Sequence, residues 1–280
     1  MSIIKTEAIV LKQFDLGEAD KIITFYTKDY GKVRAVAKGV RKSRSSLSGI
    51  VLPFNYNYMT FYQTDSLDRI NQVKNVFTFA KLREDLSKMA YASFMAELIE
   101  KVGLENDPNQ DLFSLLLSSL HQLLNEKEYN YIELSFKVRL LGILGFKPEL
   151  DSCISCKKEL IYYRKNIFDI EHGGLLCTDC YRDRIENIST NNCVERKQNT
   201  EQSNEYSNRS DSNINKYILY GESIQVLNDL FETGLKPATN LKISNKAFRQ
   251  LDDLINKFMI YHLDLKLKSF DFLNMIKNLG

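Results

Sequence analysis

The stretch "KDYGKVRAVAKGVRKSRSSLSG", Lys28 to Gly49, decides how the first part of this 280-residue chain is read. After the turn "KDYG", Val33, Ala35 and Ala37 alternate with Arg34, Val36 and Lys38. A period of two places small apolar groups on one face and charge on the other, the mark of a half-buried strand. From Lys32 to Gly49 the segment carries six cations (Lys32, Arg34, Lys38, Arg41, Lys42, Arg44) and no acid. It therefore bears on function as well as fold.

Working outward, "TEAIVLKQF" and "KIITFYT" precede this strand, separated by the turn-like "DLGEAD". "FNYNYMTFYQ" and the weaker "DRINQVKNV" follow it. Five strands within about seventy-five residues, with turn signals between them, predict a small barrel, of which the five-stranded OB type is the economical choice. The pattern alone does not separate it from an SH3-like barrel. Past Val76 the period becomes helical. "KLREDLSKMAYASFMAELIEKVGL" reads as one helix ending near Gly103, and Asp107 and Pro108 read as the N-cap and first position of a second. A third spans "YNYIELSFKVRLLGILGF", stopped by Gly145 and Pro148, and two more lie in "ESIQVLNDLFETG" and "SNKAFRQLDDLINKFMIYHLD". The predicted fold is multidomain α and β. It places an OB-fold domain at 1–79 and a helical domain at 80–280, which includes a metal-binding segment at 150–182. Residues 187–215 are rich in Asn and Ser and poor in large apolar side chains, which predicts a disordered insertion with Cys193 an incidental thiol.

Charge is unevenly distributed. The whole chain has a formal net charge of +2, but residues 1–80 hold twelve Lys/Arg against seven Asp/Glu, a net +5, which leaves −3 for the remainder. The N-terminus lacks the basic, apolar and small-residue succession of a secretory signal, and no run approaches eighteen apolar residues. The expected location is cytoplasmic. In a reducing compartment paired cysteines point to metal rather than disulfides. Cys153-x2-Cys156 and, twenty residues on, Cys177-x2-Cys180 have the spacing of a four-thiolate zinc site. With four protein ligands and no open position, such a metal is structural. The competing readings are four buried thiols without metal and a redox pair. Gly173 and Gly174 suit a tight knuckle, and His172 is an alternative ligand or a surface histidine.

No nucleotide loop, zinc-protease or nucleophile-elbow motif occurs, and His121 and His262 have no partner evident in the sequence. The basic stretch is either a solvated loop or a phosphate-binding one. The absence of acids, the alternating cations that run on into a flexible Ser/Gly loop, and the neighbouring aromatics (Tyr26, Tyr30, Tyr56, Tyr58, Phe61, Tyr62) favour nucleic-acid binding. An enzyme with an unrecognised acidic site, and a zinc-ribbon transcription or translation factor that binds RNA, remain as alternatives.

"EAIVLKQFDLGEADKIITFYTKDYGKVRAVAKGVRKSRSSLSGIVLPF" resembles the N-terminal OB domain of bacterial RecO recombination and repair proteins. "FKVRLLGILGFKPELDSCISCKK" followed by "GGLLCTDC" resembles their later helix and zinc segment. The resemblance implies a non-enzymatic, nucleoid-associated protein that binds single- and double-stranded DNA and anneals complementary strands. It further implies that the protein works with RecR and the single-strand DNA-binding protein to help load RecA, and functionally with RecF. Lys38, Gly39, Arg41, Lys42 and Arg44 match the family's basic motif. Cys153, Cys156, Cys177 and Cys180 match its cysteines, implying one structural Zn2+. The Asn/Ser-rich insertion departs from the family pattern.

Overall fold

A computed structural model describes residues 2–64, 67–161, 166–184, 216–232 and 243–277. The insertion at 187–215, with Cys193, lies outside the described residues. The chain divides into two compact units: residues 1–143 with 235–240 and 265–280, and residues 144–234 with 241–264.

The first unit opens with five strands: β1 (Ile3–Leu16), β2 (Asp20–Thr27), β3 (Gly31–Ala37), β4 (Tyr56–Tyr62) and β5 (Asp68–Phe77). They close into a barrel in the order β1-β2-β3-β5-β4, with β1 also pairing β4. The β3–β5 pairing is parallel and the others are antiparallel. This is the OB arrangement. The period-two reading of β3 holds: Val33, Ala35 and Ala37 enter a core with Ile4, Ala8, Val10, Ile23, Phe25, Met59 and Phe61. Phe25 and Phe61 meet edge to face at 5.4 Å, a favoured geometry for buried aromatic pairs.

Helices follow in the same unit: α1 (Ala80–Glu84), α2 (Leu86–Val102), α3 (Gln110–Asn125), α4 (Tyr129–Ile143) and, last in the chain, α7 (Lys268–Lys277). The single helix expected from Lys81 is two. Asp85 is extended (φ −114°, ψ 119°), and its side chain accepts from Lys88 N at 2.9 Å, so it caps a new helix instead of continuing the old one. The cap of α3 is Asn109, not Asp107; its side chain accepts from Asp111 N and Leu112 N. Asp107 belongs to a loop that runs against the β2–β3 turn, where Lys32 N donates to Leu104 O at 2.9 Å. That approach requires Gly31, which has φ +65° and whose added Cβ would lie 2.5 Å from Asp107 O.

α4 is the central helix of this unit, with every residue from Ile132 to Leu141 buried. Glu133 and Lys137, one turn apart on it, form a fully buried ion pair at 2.9 Å, and Lys277 of α7 reaches the second Glu133 oxygen. The other end of α7 is held by Glu97 of α2, which accepts from Lys268 N and Ser269 N.

The second unit holds a three-stranded antiparallel sheet absent from the sequence reading. β6 (Asn166–Asp169) lies between β7 (Gly174–Leu176) and β8 (Lys216–Leu219). Strands of three or four residues are too short to show a period, and β6 is buried throughout. α5 (Gly221–Glu232) and α6 (Asn245–Leu263) also belong to the unit, as does a short helical stretch at 178–184, and Phe168 packs edge-on against Phe258 at 5.5 Å.

Candidate nucleic-acid interface and metal centre

The segment between β3 and β4 begins on the exposed side of the barrel and returns to its core. Val40 and Val51 are buried with the barrel core, and Leu47 packs against it. Between these anchors the chain makes successive turns, with Lys42 N donating to Gly39 O, Ser45 N to Lys42 O and Ile50 N to Leu47 O. Its entry is fixed to the β1–β2 turn by Gly39 N on Asp20 Oδ1 (2.7 Å) and Arg41 N on Ala19 O (3.0 Å). Its exit is fixed by Asn55, whose amide donates to Gly49 O and Ile50 O. Arg83 of α1 in turn donates to Asn55 Oδ1 and Pro53 O. The loop expected to be flexible is thus pinned at both ends, because its apolar residues have core positions to fill.

The six sequence-selected cations fall into two groups. Lys32 donates to Glu100 O at 2.9 Å, Arg34 pairs with Glu105 at 2.8 Å, and Arg41 donates to Gly17 O while lying 3.4 Å from Asp15. Lys38, Lys42 and Arg44 are exposed, and among the described residues their side chains make no ion pair or hydrogen bond. The engaged partners, Glu100 and Glu105, lie far along the chain, which is why a local reading of an acid-free stretch missed them. The aromatics also separate. Tyr26 and Phe61 are fully buried. The Tyr26 hydroxyl is pushed up to about 12, chiefly by burial, and bonds Asn109 O. Tyr56 is tied to Glu7 and also raised to about 12, by burial first and by that carboxylate second. Only Tyr58 and Tyr62 of the six expose much of their rings. Phe14, which the sequence reading did not select, is more open than either, at 55%.

The four paired cysteines converge. All four Sγ atoms lie within 4.8 Å of one another, and Cys156 Sγ and Cys177 Sγ are 3.9 Å apart. A tetrahedral site with metal–sulfur bonds of about 2.3 Å has an edge of about 3.8 Å. The cluster therefore fits a metal ion. Each pair is shaped by its backbone: Lys157 N, at φ 60°, donates to Cys153 O, and Tyr181 N donates to Cys177 O, while Ile154 N donates to Leu175 O between the two. Gly174 is required where the two knuckles meet, because a Cβ there would lie 2.4 Å from Ile154 Cγ2. Burial pushes the Cys153 thiol up, but N–H groups of Cys177, Cys156 and Ser155 outweigh it and bring it down to about 6. Cys180 is pushed up to about 12 by hydrogen bonding to the Cys177 and Cys156 sulfurs. Sulfurs this close cannot all be thiolates without a cation, and a metal ion supplies that charge.

His172 is not among these ligands. It pairs instead with the buried Asp169, which also takes Arg184 at 2.7 Å. His262 donates Nε2–H to Ile170 O at 2.7 Å and meets Phe258 edge to face. His121 packs against the touching pair Phe77 and Phe79, and burial lowers its pKa.

An OB barrel with a pinned basic loop, helices packed on it and a separate four-cysteine module together define a class of two-unit proteins. The family profile described as recombination protein O N-terminal matches residues 1–79, and its C-terminal counterpart matches residues 83–192. The DNA repair protein RecO of Desulforamulus reducens is 33% identical over 284 residues, covering 100% of this chain and 98% of that protein. That of a Thermoanaerobacter species is 31% identical with both chains fully covered. That of Bacillus subtilis is 34% identical over 177 residues, 63% of this chain and 68% of its own length. The chain belongs to the RecO family of DNA repair proteins.

Proposed function

We propose that this protein is a non-enzymatic recombination mediator of the bacterial cytoplasm. It binds single- and double-stranded DNA through the β3–β4 basic segment and anneals complementary strands. With RecR it helps load RecA onto strands coated by the single-strand DNA-binding protein, and it acts functionally alongside RecF. The observation that carries this reading is the exposed trio Lys38, Lys42 and Arg44, presented on turns of an OB barrel with no counter-ion among the described residues. Lys32, Arg34 and Arg41 extend the surface after exchanging their present partners for phosphate. Cations that neutralise the phosphates of two strands lower their mutual repulsion while leaving base edges free to pair, so annealing without base specificity follows.

The metal is one structural zinc ion held by Cys153, Cys156, Cys177 and Cys180. It supplies cross-linking of the two knuckles and no reaction chemistry, because four protein sulfurs leave no open position. The test is annealing of complementary oligonucleotides, bare and coated with the single-strand DNA-binding protein, with and without RecR. The expected result is faster annealing by the protein alone and RecR-dependent RecA loading on coated strands. No acceleration on either substrate would refute the reading. Cleavage or extension of the DNA in the presence of a divalent metal would point to an enzyme instead.

A further inference from the structure

Asn55 and Asn57 are fully buried, an uncommon state for two carboxamides. Their donors all point one way. The amide of Asn55 donates to Gly49 O at 2.9 Å and Ile50 O at 3.0 Å, and that of Asn57 also reaches Ile50 O, at 3.2 Å. Their oxygens accept from the other side: Asn55 Oδ1 from Arg83 of α1 at 3.0 Å, and Asn57 Oδ1 from Asn75 of β5 at 3.0 Å. The two side chains thus relay the positions of α1 and β5 to the end of the basic segment. The same Arg83 nitrogen also donates to Pro53 O, at 2.7 Å. Between its two acceptor residues stands Phe54, buried, with φ 73°, a left-handed backbone that is an outlier for an aromatic residue. Such strain persists only where the surroundings over-determine it, and it gathers at functional sites.

From Ile50 the restraint continues back along the segment. Ile50 N and Val51 N donate to Leu47 O, Ser48 Oγ to Ser45 O, and Ser45 N to Lys42 O, so each turn is seated on the next. The apolar anchors Val51 and Leu47 fix the depth of the segment in the barrel. Hydrogen bonds are directional, and these fix its orientation. We propose that Arg83 is a positioning residue for phosphate binding: it holds the exit of the basic segment through Asn55 and thereby sets where Lys42 and Arg44 stand. This role rests on the DNA binding proposed above for that segment. A segment already ordered does not bear the cost of ordering at the moment of contact. Loss of Arg83 therefore weakens binding although Arg83 itself touches no phosphate.

The test is binding of a dT oligomer by the full chain across a range of salt, together with amide hydrogen exchange of the segment. Arg83→Met keeps the stem of the side chain and removes its donors. It should weaken binding by roughly 2- to 12-fold, the range that one net hydrogen bond corresponds to, and speed exchange at Ser45, Ile50 and Val51. The salt slope should stay that of the parent, because no phosphate contact is lost. Flattening by about 0.7 would show that Arg83 itself contacts phosphate and would overturn the positioning role. In the variant lacking Lys38, Lys42 and Arg44 the same change should have little further effect, since residues acting along one path are not additive. Arg83→Lys should restore binding, as both bonds come from a single nitrogen that an ammonium can replace. Asn75→Ala, which loosens Asn57 from the β5 side, should show the same pattern at smaller size, and it decides the matter if Arg83→Met does not fold. Full dT affinity in Arg83→Met, or a loss that adds in full to that of the triple variant, overturns the proposal. If Arg83→Met binds normally while the triple variant does not, only the positioning role fails. If the triple variant binds like the parent, the basic-segment interface fails, and the positioning role with it.

Discussion

Replacing Lys38, Lys42 and Arg44 together by alanine removes the three cations of the basic segment that have no counter-ion among the described residues. Their side chains project from a segment whose anchors, Val40, Val51 and Asn55, are untouched. Each phosphate contact on a single strand contributes about 0.7 to the slope of log affinity against log salt, so three contacts account for about 2. Between 50 and 200 mM salt, a slope difference of that size amounts to roughly a 20-fold difference in the loss of affinity. The variant should therefore bind more weakly at 50 mM and lose less on going to 200 mM. The assay is fluorescence anisotropy with dT and mixed-sequence oligonucleotides across that range. The decrease should be the same for every sequence, since phosphate contacts carry no base information. Melting temperature should scarcely move, because exposed substitutions of this kind change stability by about 0.5 kcal/mol or less. Arg34→Ala should flatten the slope by less than a full contact, as Arg34 must first release Glu105. An unchanged slope with unchanged affinity in the triple variant refutes the assignment, and a joint loss of binding and melting temperature shows a damaged barrel instead.

Metal analysis should find about one zinc per chain, and Cys153→Ser or Cys177→Ser should release it and lower the melting temperature; metal-free protein that melts normally excludes a structural metal. Glu133→Ala should destabilise by about 3–5 kcal/mol in denaturant unfolding because it removes a buried carboxylate paired with both Lys137 and Lys277, whereas Glu133→Leu with Lys137→Leu should cost less than either single change. At Glu97, burial raises the carboxyl, but hydrogen bonds from Ser269 and Lys268, with Lys101 nearby, outweigh it and hold it below the usual range. The stability Glu97 contributes is therefore complete above its unfolded value of about 4.3 and is lost as pH falls through its lower folded value. Glu97→Gln should flatten the acid limb of unfolding in that window, and an identical pH profile would show that α7 is held by other contacts.

The barrel and the four cysteines that converge could be read from the sequence by itself. Period-two alternation in β3 depends only on which side chains can leave water, and a Cys-x2-Cys pair brings its two sulfurs together through local backbone alone. The same holds for most helix spans, although Asp85 and Asn109 set boundaries through side-chain hydrogen bonds that the apolar period does not register. Only the tertiary structure decided which cations are free. Glu100 and Glu105 stand some seventy residues beyond Lys32 and Arg34, and the helical packing alone brings them to the strand. The choice of exposed aromatic was likewise global. Tyr26 and Phe14 look equally available in a list of residues, yet closure of the barrel against α2 covers Tyr26, beside Gly103, and leaves Phe14 open. The ion pair inside α4 and the sheet of β6 to β8 also escaped the sequence. Burial of a charge and pairing of very short strands depend on neighbours distant along the chain, and those neighbours exist only once the chain has folded.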